Sequence, residues 1–299
     1  MVVLIFLPLG RGLRRAVRFV IPSKGRLKDA TLELLERAGI RPSYLDSRAL
    51  IVPSNKPNLD LVFARPEDIP WIVESGAAEV GITGHDYVLE SGRDVAEILD
   101  LNYGRSKLVL AVPRDSGIKR PEELPKGFRI ATKFINIATD YFEKKGLDVK
   151  IVKVSGSAEV MPGIGAADGI IDVMSTGTTL KLHGLTPIDV ILSSSARLIV
   201  RKDLLDDPRV ETIKLMLESV LRASKKKLVM MNVPDEALDD VLKVLPAMSG
   251  PTISKVKSEK PMWEVIAAVD EDEIADIIVK LKNAGAKDIL VLNVERLIP

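Results

Sequence analysis

A short loop rich in hydroxyl groups follows an apolar run in the segment DGIIDVMSTGTTL, residues 168–180. The loop consists of Ser175, Thr176, Gly177, Thr178 and Thr179. Its successive backbone N–H groups and hydroxyls can enclose a phosphate group, and a helix that begins there adds the attraction of its dipole. Asp168 and Asp172, just upstream, could bind ribose hydroxyls or a Mg²⁺ ion attached to pyrophosphate. The pattern also fits a polar turn in which Ser or Thr caps the next helix.

Two other predicted strand ends carry charged residues where ligands often bind in α/β folds. In SKGRL, residues 23–27, Lys24 and Arg26 flank Gly25 between a predicted strand and a predicted helix. Cations at a helix N-terminus oppose the helix dipole, which favours an anion site over a solvated basic turn. In GITGHD, residues 81–86, Asp86 could accept hydrogen bonds from a ligand or cap a helix.

Composition excludes several other kinds of site. The 299 residues include no cysteine and two histidines, which excludes thiolate metal sites, disulfides and His-rich metal clusters. The absence of cysteine also fits a reducing compartment such as the cytoplasm. A net charge of +1 argues against binding nucleic acid over a whole surface. The sequence contains no GxxxxGK[ST], GxSxG or HExxH motif.

Strands and helices alternate from Arg18 onward, which predicts an α/β fold with mostly parallel sheets. We expect a first lobe formed by residues 1–104 and 196–225, and a second lobe formed by residues 105–195. The segment ARLIV, which begins at Ala196, is expected to return to the first lobe. Ligands commonly bind in the cleft between two such lobes.

The C-terminal part of the chain, residues 226–299, has the order βαββαβ, which is the ferredoxin-like arrangement. At the other end, the apolar stretch from Val2 to Leu9 is too short to span a bilayer. We expect residues 1–16 to form an N-terminal extension, with a targeting segment or membrane contact as the alternative.

Taken in order along the chain, several stretches resemble one enzyme family, ATP phosphoribosyltransferase in its long form. They are IPSKGRLKDATLELLERAG, DLVFARPEDIPWIVESGAAEVGITGHDYVLESG, GSAEV, GIGAADGIIDVMSTGTTL, SSSARLIV and LKNAGAKDILVLNVERLI. The resemblance implies a reaction that joins N1 of ATP to C1 of phosphoribosyl pyrophosphate (PRPP), releasing pyrophosphate, as the first step of histidine biosynthesis. It implies two lobes similar to periplasmic binding proteins, a requirement for Mg²⁺, and inhibition by histidine bound to the C-terminal domain. It also implies a homo-oligomer that shifts between dimer and hexamer, with no membrane or nucleic-acid partner.

The resemblance also implies roles for individual residues. The PRPP site maps to Glu159, Asp168, Asp172 and the hydroxyl loop, with both aspartates facing the ribose hydroxyls or the Mg²⁺–pyrophosphate. The ATP site and the position of the leaving pyrophosphate map to Lys24, Gly25, Arg26, Arg48, Arg65 and Asp86. Of these residues, Asp172, Asp168 and Lys24 are expected to act in catalysis. No catalytic base is expected, because N1 of adenine is already a nucleophile.

The histidine site implied by the resemblance comprises Asn232, Ser249, Gly250, Thr252 and Asp288. Here the sequence departs from the family pattern. Gly250 replaces a larger or charged residue, Lys255 replaces a proline, and Asn232 stands where Asp is frequent. These departures concern the affinity for histidine rather than the existence of a site.

Two other classes of protein fit parts of the sequence. One is a two-lobed small-molecule binding protein with a sensor domain and no catalytic activity. The other is an amino-acid-sensing regulatory protein in which the βαββαβ domain is the functional part. The hydroxyl loop beside two acids favours a phosphoribosyltransferase over the binding protein. The long two-lobed segment favours it over the regulatory protein.

Overall fold

The computed structural model describes residues 16–44, 49–246, 248 and 250–298. The described residues divide into two compact units. One comprises the residues up to 33 together with residues 40–214, and the other comprises residues 34–39 together with the chain from 215 onward. Most of the predicted N-terminal extension, and the predicted site residues Arg48 and Ser249, lie outside the described residues. The lobe boundaries expected from the sequence stay predictions.

The first unit contains eleven strands among its described residues. They are β1 (Val17–Pro22), β2 (Ile51–Pro53), β3 (Leu59–Ala64), β4 (Val80–Gly84), β5 (Val95–Asp100), β6 (Ser106–Pro113), β7 (Phe128–Thr132), β8 (Val149–Lys153), β9 (Gly169–Met174), β10 (Leu185–Ser194) and β11 (Ala196–Arg201). The helices up to residue 223 are α1 (Lys28–Arg37), α2 (Ile69–Glu74), α3 (His85–Ser91), α4 (Ile135–Lys145), α5 (Thr178–Leu182) and α6 (Pro208–Ala223).

Six of these strands form the first sheet, in the order β2-β3-β1-β4-β11-β5. Strand β1 is parallel to β3 and β4, so the carboxyl ends of these three strands share one edge of the sheet. Strand β11 is antiparallel to both β4 and β5 and lies between them. The central strands are buried on both faces, as the apolar run Phe19–Ile21 in β1 requires.

The second sheet has the order β10-β6-β9-β7-β8. Strand β7 is parallel to both β8 and β9, whereas β6 is antiparallel to β9 and β10. The carboxyl ends of β7 and β9 therefore meet at the same edge. One face of the sheet packs a core that includes Val109, Ala131, Ile170 and Leu180, and the other face packs α4 through Ile130, Phe134 and related residues.

The second unit contains β12 (Lys226–Pro234), α7 (Leu238–Val244), β13 (Thr252–Lys255), β14 (Met262–Asp270), α8 (Ile274–Asn283) and β15 (Lys287–Asn293). All pairings in its sheet are antiparallel, in the order β13-β14-β12-β15. Val229, Val233 and Val265 on the strands pack in one core with Ile277 and Leu281 of α8. The predicted α/β fold class, including the ferredoxin-like βαββαβ domain, is confirmed.

Some local predictions differ from the structure. The sequence predicts that Asp235 starts a helix, but Asp235 begins a 3₁₀ turn and α7 starts only at Leu238. The first sheet also contains β5, a strand that the sequence pattern does not predict. Within the part of the chain that the structure describes, every helix is too short or too polar to cross a membrane.

Candidate active site

The hydroxyl loop lies between the carboxyl end of β9 and the start of α5. The residues Ser175, Thr176, Thr178 and Thr179 are all exposed, and the hydroxyls of Thr176 and Thr178 hydrogen bond to each other at 3.1 Å. Gly177 has a φ of +78°, a left-handed conformation that permits the sharp turn. The loop therefore presents hydroxyls and backbone amides to solvent, where a phosphate group can approach.

Asp172, near the end of β9, is half-buried beside this loop. Burial raises the pKa of the Asp172 carboxyl, the nearby cation of Lys133 opposes that rise, and the carboxylate of Glu159 adds to it. Lys133 and Glu159 are thus both close enough to Asp172 to act on it electrostatically. The structure brings together Asp172 and Glu159, two of the three acids predicted for the PRPP site, and adds a cation that the sequence analysis missed.

Lys133 directly follows β7 and shares the sheet edge with the hydroxyl loop, because β7 and β9 are parallel. Its ammonium group donates a hydrogen bond to the Tyr87 hydroxyl at 3.1 Å. The same group lies 5.1 Å from the ring centroid of Tyr87 and 4.9 Å from that of Phe134. Burial lowers the pKa of Lys133, but Tyr87 and the carboxylates of Asp172 and Asp86 raise it by more, so the lysine stays charged. In the sequence, Lys133 could have been found as a cation that directly follows a buried strand.

Asp86 is completely buried in the first turn of α3. Its carboxylate accepts hydrogen bonds from the guanidinium group of Arg26 at 3.1 Å and from the Ser194 hydroxyl at 2.8 Å. Arg26 also donates to the carbonyl oxygen of Gly104. The structure therefore brings Arg26 and Asp86 together, and it connects them to the segments that link the two sheets.

Lys24, Gly25 and Arg65 lie on the same edge of the first sheet, since they follow the parallel strands β1 and β3. All three residues are exposed, and Gly25 has a φ of +76°. Together with Arg26 they form a cationic edge next to Asp86.

Asp168, in contrast, is not brought to the hydroxyl loop. It precedes β9, whereas the loop follows it, and at about 3.3 Å per residue the strand separates them by about 20 Å. The carboxylate instead forms a bidentate ion pair with Arg129, at 2.6 Å from Nη2 and 3.1 Å from Nε. It also accepts a hydrogen bond from the Arg129 backbone N–H at 2.9 Å. These contacts hold the pKa of Asp168 below its usual value and give it a structural role.

Two sets of contacts join α3, which follows β4 of the first sheet, to residues that follow β7 of the second sheet. One is the hydrogen bond from Lys133 to Tyr87 of α3. In the other, the Glu90 carboxylate of α3 accepts hydrogen bonds from the backbone N–H groups of Asn136 and Ile137, each at 3.1 Å. Glu90 thereby satisfies amide groups at the start of α4 that have no partner within the helix.

A metal ion fits this site only with the help of a substrate. The described residues contain no group of three or more His, Asp or Glu side chains that could hold a metal ion. Asp172 and Glu159 supply two carboxylates beside the hydroxyl loop. This donor set suits Mg²⁺, which commonly binds one or two carboxylates and completes its shell with substrate phosphates and water.

In the second unit, the Asn232 amide donates a hydrogen bond to the Asp288 carboxylate at 3.0 Å. Asp288 has a φ of +48°, an uncommon conformation for a residue other than glycine. Thr252 lies two strands away, on β13, and Gly250 precedes that strand with a φ of +96°. Of the described residues predicted for histidine binding, Asn232 and Asp288 thus hydrogen bond to each other.

Comparisons with known proteins agree on one family. The family model "ATP phosphoribosyltransferase" matches residues 65–220, and the model "HisG, C-terminal domain" matches residues 223–296. An ATP phosphoribosyltransferase from Pyrobaculum neutrophilum is 52% identical over 278 residues, which cover 93% of this chain and 98% of that protein. One from Sulfurisphaera tokodaii is 53% identical over 285 residues, covering 94% of this chain and 100% of the relative.

Among solved structures, a chain of the ATP phosphoribosyl transferase (HisG:HisZ) complex from Thermotoga maritima is similar, with a TM-score of 0.58 and 29% identity. The match covers 68% of this chain and 98% of that chain. The chain described here belongs to the ATP phosphoribosyltransferase family.

Proposed function

We propose that this protein transfers the phosphoribosyl group of PRPP to N1 of ATP and releases pyrophosphate, the first step of histidine biosynthesis. Family membership over nearly the whole chain supports the reaction. The observation that carries the assignment of the site is the exposed hydroxyl loop, which lies beside Asp172, Glu159 and Lys133. A phosphate, ribose hydroxyls and a leaving pyrophosphate need hydroxyl and amide donors, carboxylate acceptors and a cation, and these groups supply all three.

The reaction makes little demand on proton transfer. N1 of adenine has a free electron pair and attacks C1 of the ribose, while the bond from C1 to the pyrophosphate oxygen breaks and takes its electrons to the pyrophosphate. Residues 175–179 hold the 5′-phosphate, and Asp172 accepts hydrogen bonds from the ribose hydroxyls. The main contributions of the protein are alignment of the two substrates and stabilisation of the charge on the leaving group.

The cationic edge of the first sheet suits the phosphates of ATP and the departing pyrophosphate. Lys24, Arg26 and Arg65 lie there, and Asp86 fixes the Arg26 guanidinium group. Mg²⁺ would neutralise part of the pyrophosphate charge, and Asp172 and Glu159 are the residues that would hold it.

The direct test is pyrophosphate release from purified protein given ATP, PRPP and Mg²⁺. We expect release to require both substrates and to fall at least 100-fold in Asp172→Asn. Asp168→Asn, one residue before the same strand, is a matched control, and it should retain the rate because Asp168 pairs with Arg129. An inactive wild type, with pyrophosphatase present to draw the reaction forward, would refute the proposed function. Equal losses in both variants would refute the assigned role of Asp172.

We further propose that the ferredoxin-like domain binds histidine near Asn232 and Asp288 and so inhibits the enzyme. An acidic group beside an amide can receive the ammonium group of an amino acid, which supports this position. We expect Asn232→Ala to weaken inhibition by histidine at least tenfold without changing the uninhibited rate. Asn293→Ala, on the same sheet, is the control, because Asn293 hydrogen bonds to Lys227 instead. Inhibition unchanged in Asn232→Ala would refute this site.

We also propose that the protein works as a homo-oligomer, between dimer and hexamer, in the cytoplasm. The edge strand β15 exposes Leu290 by 59% and Leu292 by 43%, and apolar edges of this kind are usually covered by a partner. Light scattering coupled to size exclusion, with and without histidine, tests the proposal. A monomer under both conditions at micromolar concentration would refute it.

A further inference from the structure

The chain passes from the first sheet to the second through residues 101–105, which lie between β5 and β6. We call these residues the crossing segment. It bends sharply, because Asn102 and Gly104 both have left-handed backbone conformations, with φ values of +60° and +61°. Tyr103 lies between them, and its carbonyl oxygen accepts a hydrogen bond from the N–H of Ala196 at 2.9 Å. Ala196 begins β11, so the outgoing and returning passages of the chain are hydrogen-bonded to each other.

The side chain of Tyr103 joins the crossing segment to α1. Its hydroxyl oxygen lies 2.6 Å from that of Thr31, which is completely buried in α1. Thr31 donates its single hydroxyl proton to the carbonyl oxygen of Leu27, also at 2.6 Å, so Tyr103 must be the donor in the bond to Thr31. Burial raises the pKa of Tyr103, so this donor stays protonated at neutral pH. The two hydrogen bonds fix the crossing segment against the start of α1.

The next residue of the crossing segment, Gly104, contacts the two residues that precede α1. Its carbonyl oxygen accepts a hydrogen bond from the Arg26 guanidinium group. A Cβ atom at Gly104 would collide with the side chain of Leu27, so this close approach requires a glycine. Nη2 of Arg26 donates to the Asp86 carboxylate at 3.1 Å. Arg26 is therefore held between one acceptor on the crossing segment and another on α3, and the position of Gly104 fixes one side of its guanidinium group.

We propose that Tyr103 is a positioning residue for Arg26, because its hydrogen bond to Thr31 holds the crossing segment where the Gly104 carbonyl orients the guanidinium group. This inference rests on the proposed function, in which Arg26 belongs to the cationic edge that serves the phosphates of ATP. A guanidinium group that is already oriented binds phosphate without losing further freedom. Tyr103 acts through Arg26 rather than on a substrate, so loss of its hydroxyl should weaken the use of ATP and spare the use of PRPP.

Steady-state kinetics with separate titration of ATP and PRPP tests the proposal. Tyr103→Phe removes only the hydroxyl group, and we expect it to raise the KM for ATP about three- to tenfold while the KM for PRPP stays within about twofold. Tyr141→Phe is the matched control, since Tyr141 is also half-buried and donates its hydroxyl hydrogen bond to Asp189 instead. An unchanged KM for ATP in Tyr103→Phe, or an equal rise in both KM values, would overturn the proposal.

Thr31 offers the same test from the other side of the hydrogen bond. Thr31→Val removes the acceptor at nearly constant volume, and we expect it to raise the KM for ATP as Tyr103→Phe does. Thr31→Ser keeps a hydroxyl group and should retain the wild-type KM. Equal KM values for ATP in the two Thr31 variants would count against the proposal. Thermal unfolding of each variant separates loss of position from loss of fold.

A double-mutant cycle shows whether the effect of Tyr103 passes through Arg26. Arg26→Lys keeps a positive charge beside Asp86, but one ammonium group cannot hold both Asp86 and the Gly104 carbonyl in the fixed geometry of a guanidinium group. In the Arg26→Lys background, Tyr103→Phe should therefore change the KM for ATP by less than about twofold. A further rise of about three- to tenfold in that background would mean that Tyr103 acts independently of Arg26, and would overturn the proposal.

Calorimetric binding of ATP supplies a measurement that does not depend on turnover. If wild type released no pyrophosphate, the proposed function would fail, and binding of ATP would then decide the inference about Tyr103. Weaker binding to Tyr103→Phe than to wild type and Tyr141→Phe would support it. Equal binding to all three proteins, or no binding to any of them, would overturn it.

Discussion

Replacing Lys133 with methionine removes a charge from the centre of the candidate site while keeping a side chain of similar length. The lost contacts are one hydrogen bond to Tyr87 at 3.1 Å and two cation–π contacts, at 5.1 Å to Tyr87 and 4.9 Å to Phe134. The electrostatic influence of Lys133 on Asp172 and Asp86 is lost as well. Because the neighbouring aromatic rings can still pack against methionine, we expect the fold to survive.

The expected loss of activity in Lys133→Met can be estimated from the charge that the substitution removes. A charge-assisted hydrogen bond to a phosphate is worth about 1.5–3 kcal/mol, so its loss lowers kcat/KM for PRPP about 10- to 100-fold. An opposite charge nearby lowers the pKa of a carboxyl group by about 1–3 units. Burial already raises the pKa of Asp172, and Lys133 opposes that rise. Without Lys133 the neutral form of Asp172 is favoured further, so the acid limb of the pH profile should move to higher pH.

The assay is pyrophosphate release as a function of PRPP concentration between pH 5 and 9. Lys144→Met is the control, since Lys144 is 73% exposed and pairs with Asp140 on the surface of α4. Tyr87→Phe keeps the ring and removes only the hydroxyl group, so we expect a loss of about two- to fivefold there. A Lys133→Met enzyme with the wild-type kcat/KM for PRPP and an unmoved acid limb would refute the role assigned to Lys133.

Three further predictions concern local structure. Asp168→Asn should lower the free energy of unfolding by about 1 kcal/mol at pH 7, because its ion pair with Arg129 is partly exposed. The fold lowers the pKa of Asp168, so this side chain stabilises the protein at pH values above its unfolded-state pKa of 3.8. That stabilisation is lost as the pH falls through the pKa of the folded state. Urea unfolding of both proteins at pH 7 and at pH 3 checks this. Gly177→Ala should cost about 1 kcal/mol through its positive φ and raise the KM for PRPP several-fold, whereas an unchanged KM would mean that the loop is not a phosphate site. Glu90→Ala should destabilise the protein by about 1–2 kcal/mol in chemical denaturation, since it removes the acceptor for two N–H groups of α4; Glu90→Gln should lose less, and equal losses would argue against the cap.

The fold class could be predicted from sequence because the central strands are buried on both faces and read as continuous apolar runs. Strand β5 could not, since it lies at the edge of its sheet and its apolar residues are interrupted by Glu97 and Asp100. The βαββαβ order of the last domain follows from patterns that are local in sequence. The start of α7 shifted because a 3₁₀ turn precedes it, and the two kinds of first turn have similar sequence signals.

The candidate site could be predicted only where its residues are contiguous in the sequence. The hydroxyl loop is visible in the sequence, but Lys133 reaches it only through the parallel pairing of β7 with β9. Asp168 and Asp172 are four residues apart, which on a helix would bring them together. On a strand the same spacing separates them by about 13 Å, so only Asp172 lies near the end of β9 where the loop begins, and the role that the resemblance implied for both acids does not follow from the strand.

The position of β11 between β4 and β5 affects the order in which the protein can fold during synthesis. The first sheet is interrupted in sequence by the entire second sheet, so it cannot be completed until the ribosome has passed Arg201. The five-stranded sheet is contiguous from Ser106 to Ser194 and can close while β5 still lacks its neighbour. The unpaired edge of β4 is exposed during that interval, and such edges are prone to wrong pairing. The nascent chain is therefore most exposed to aggregation just before the segment that returns to the first sheet emerges.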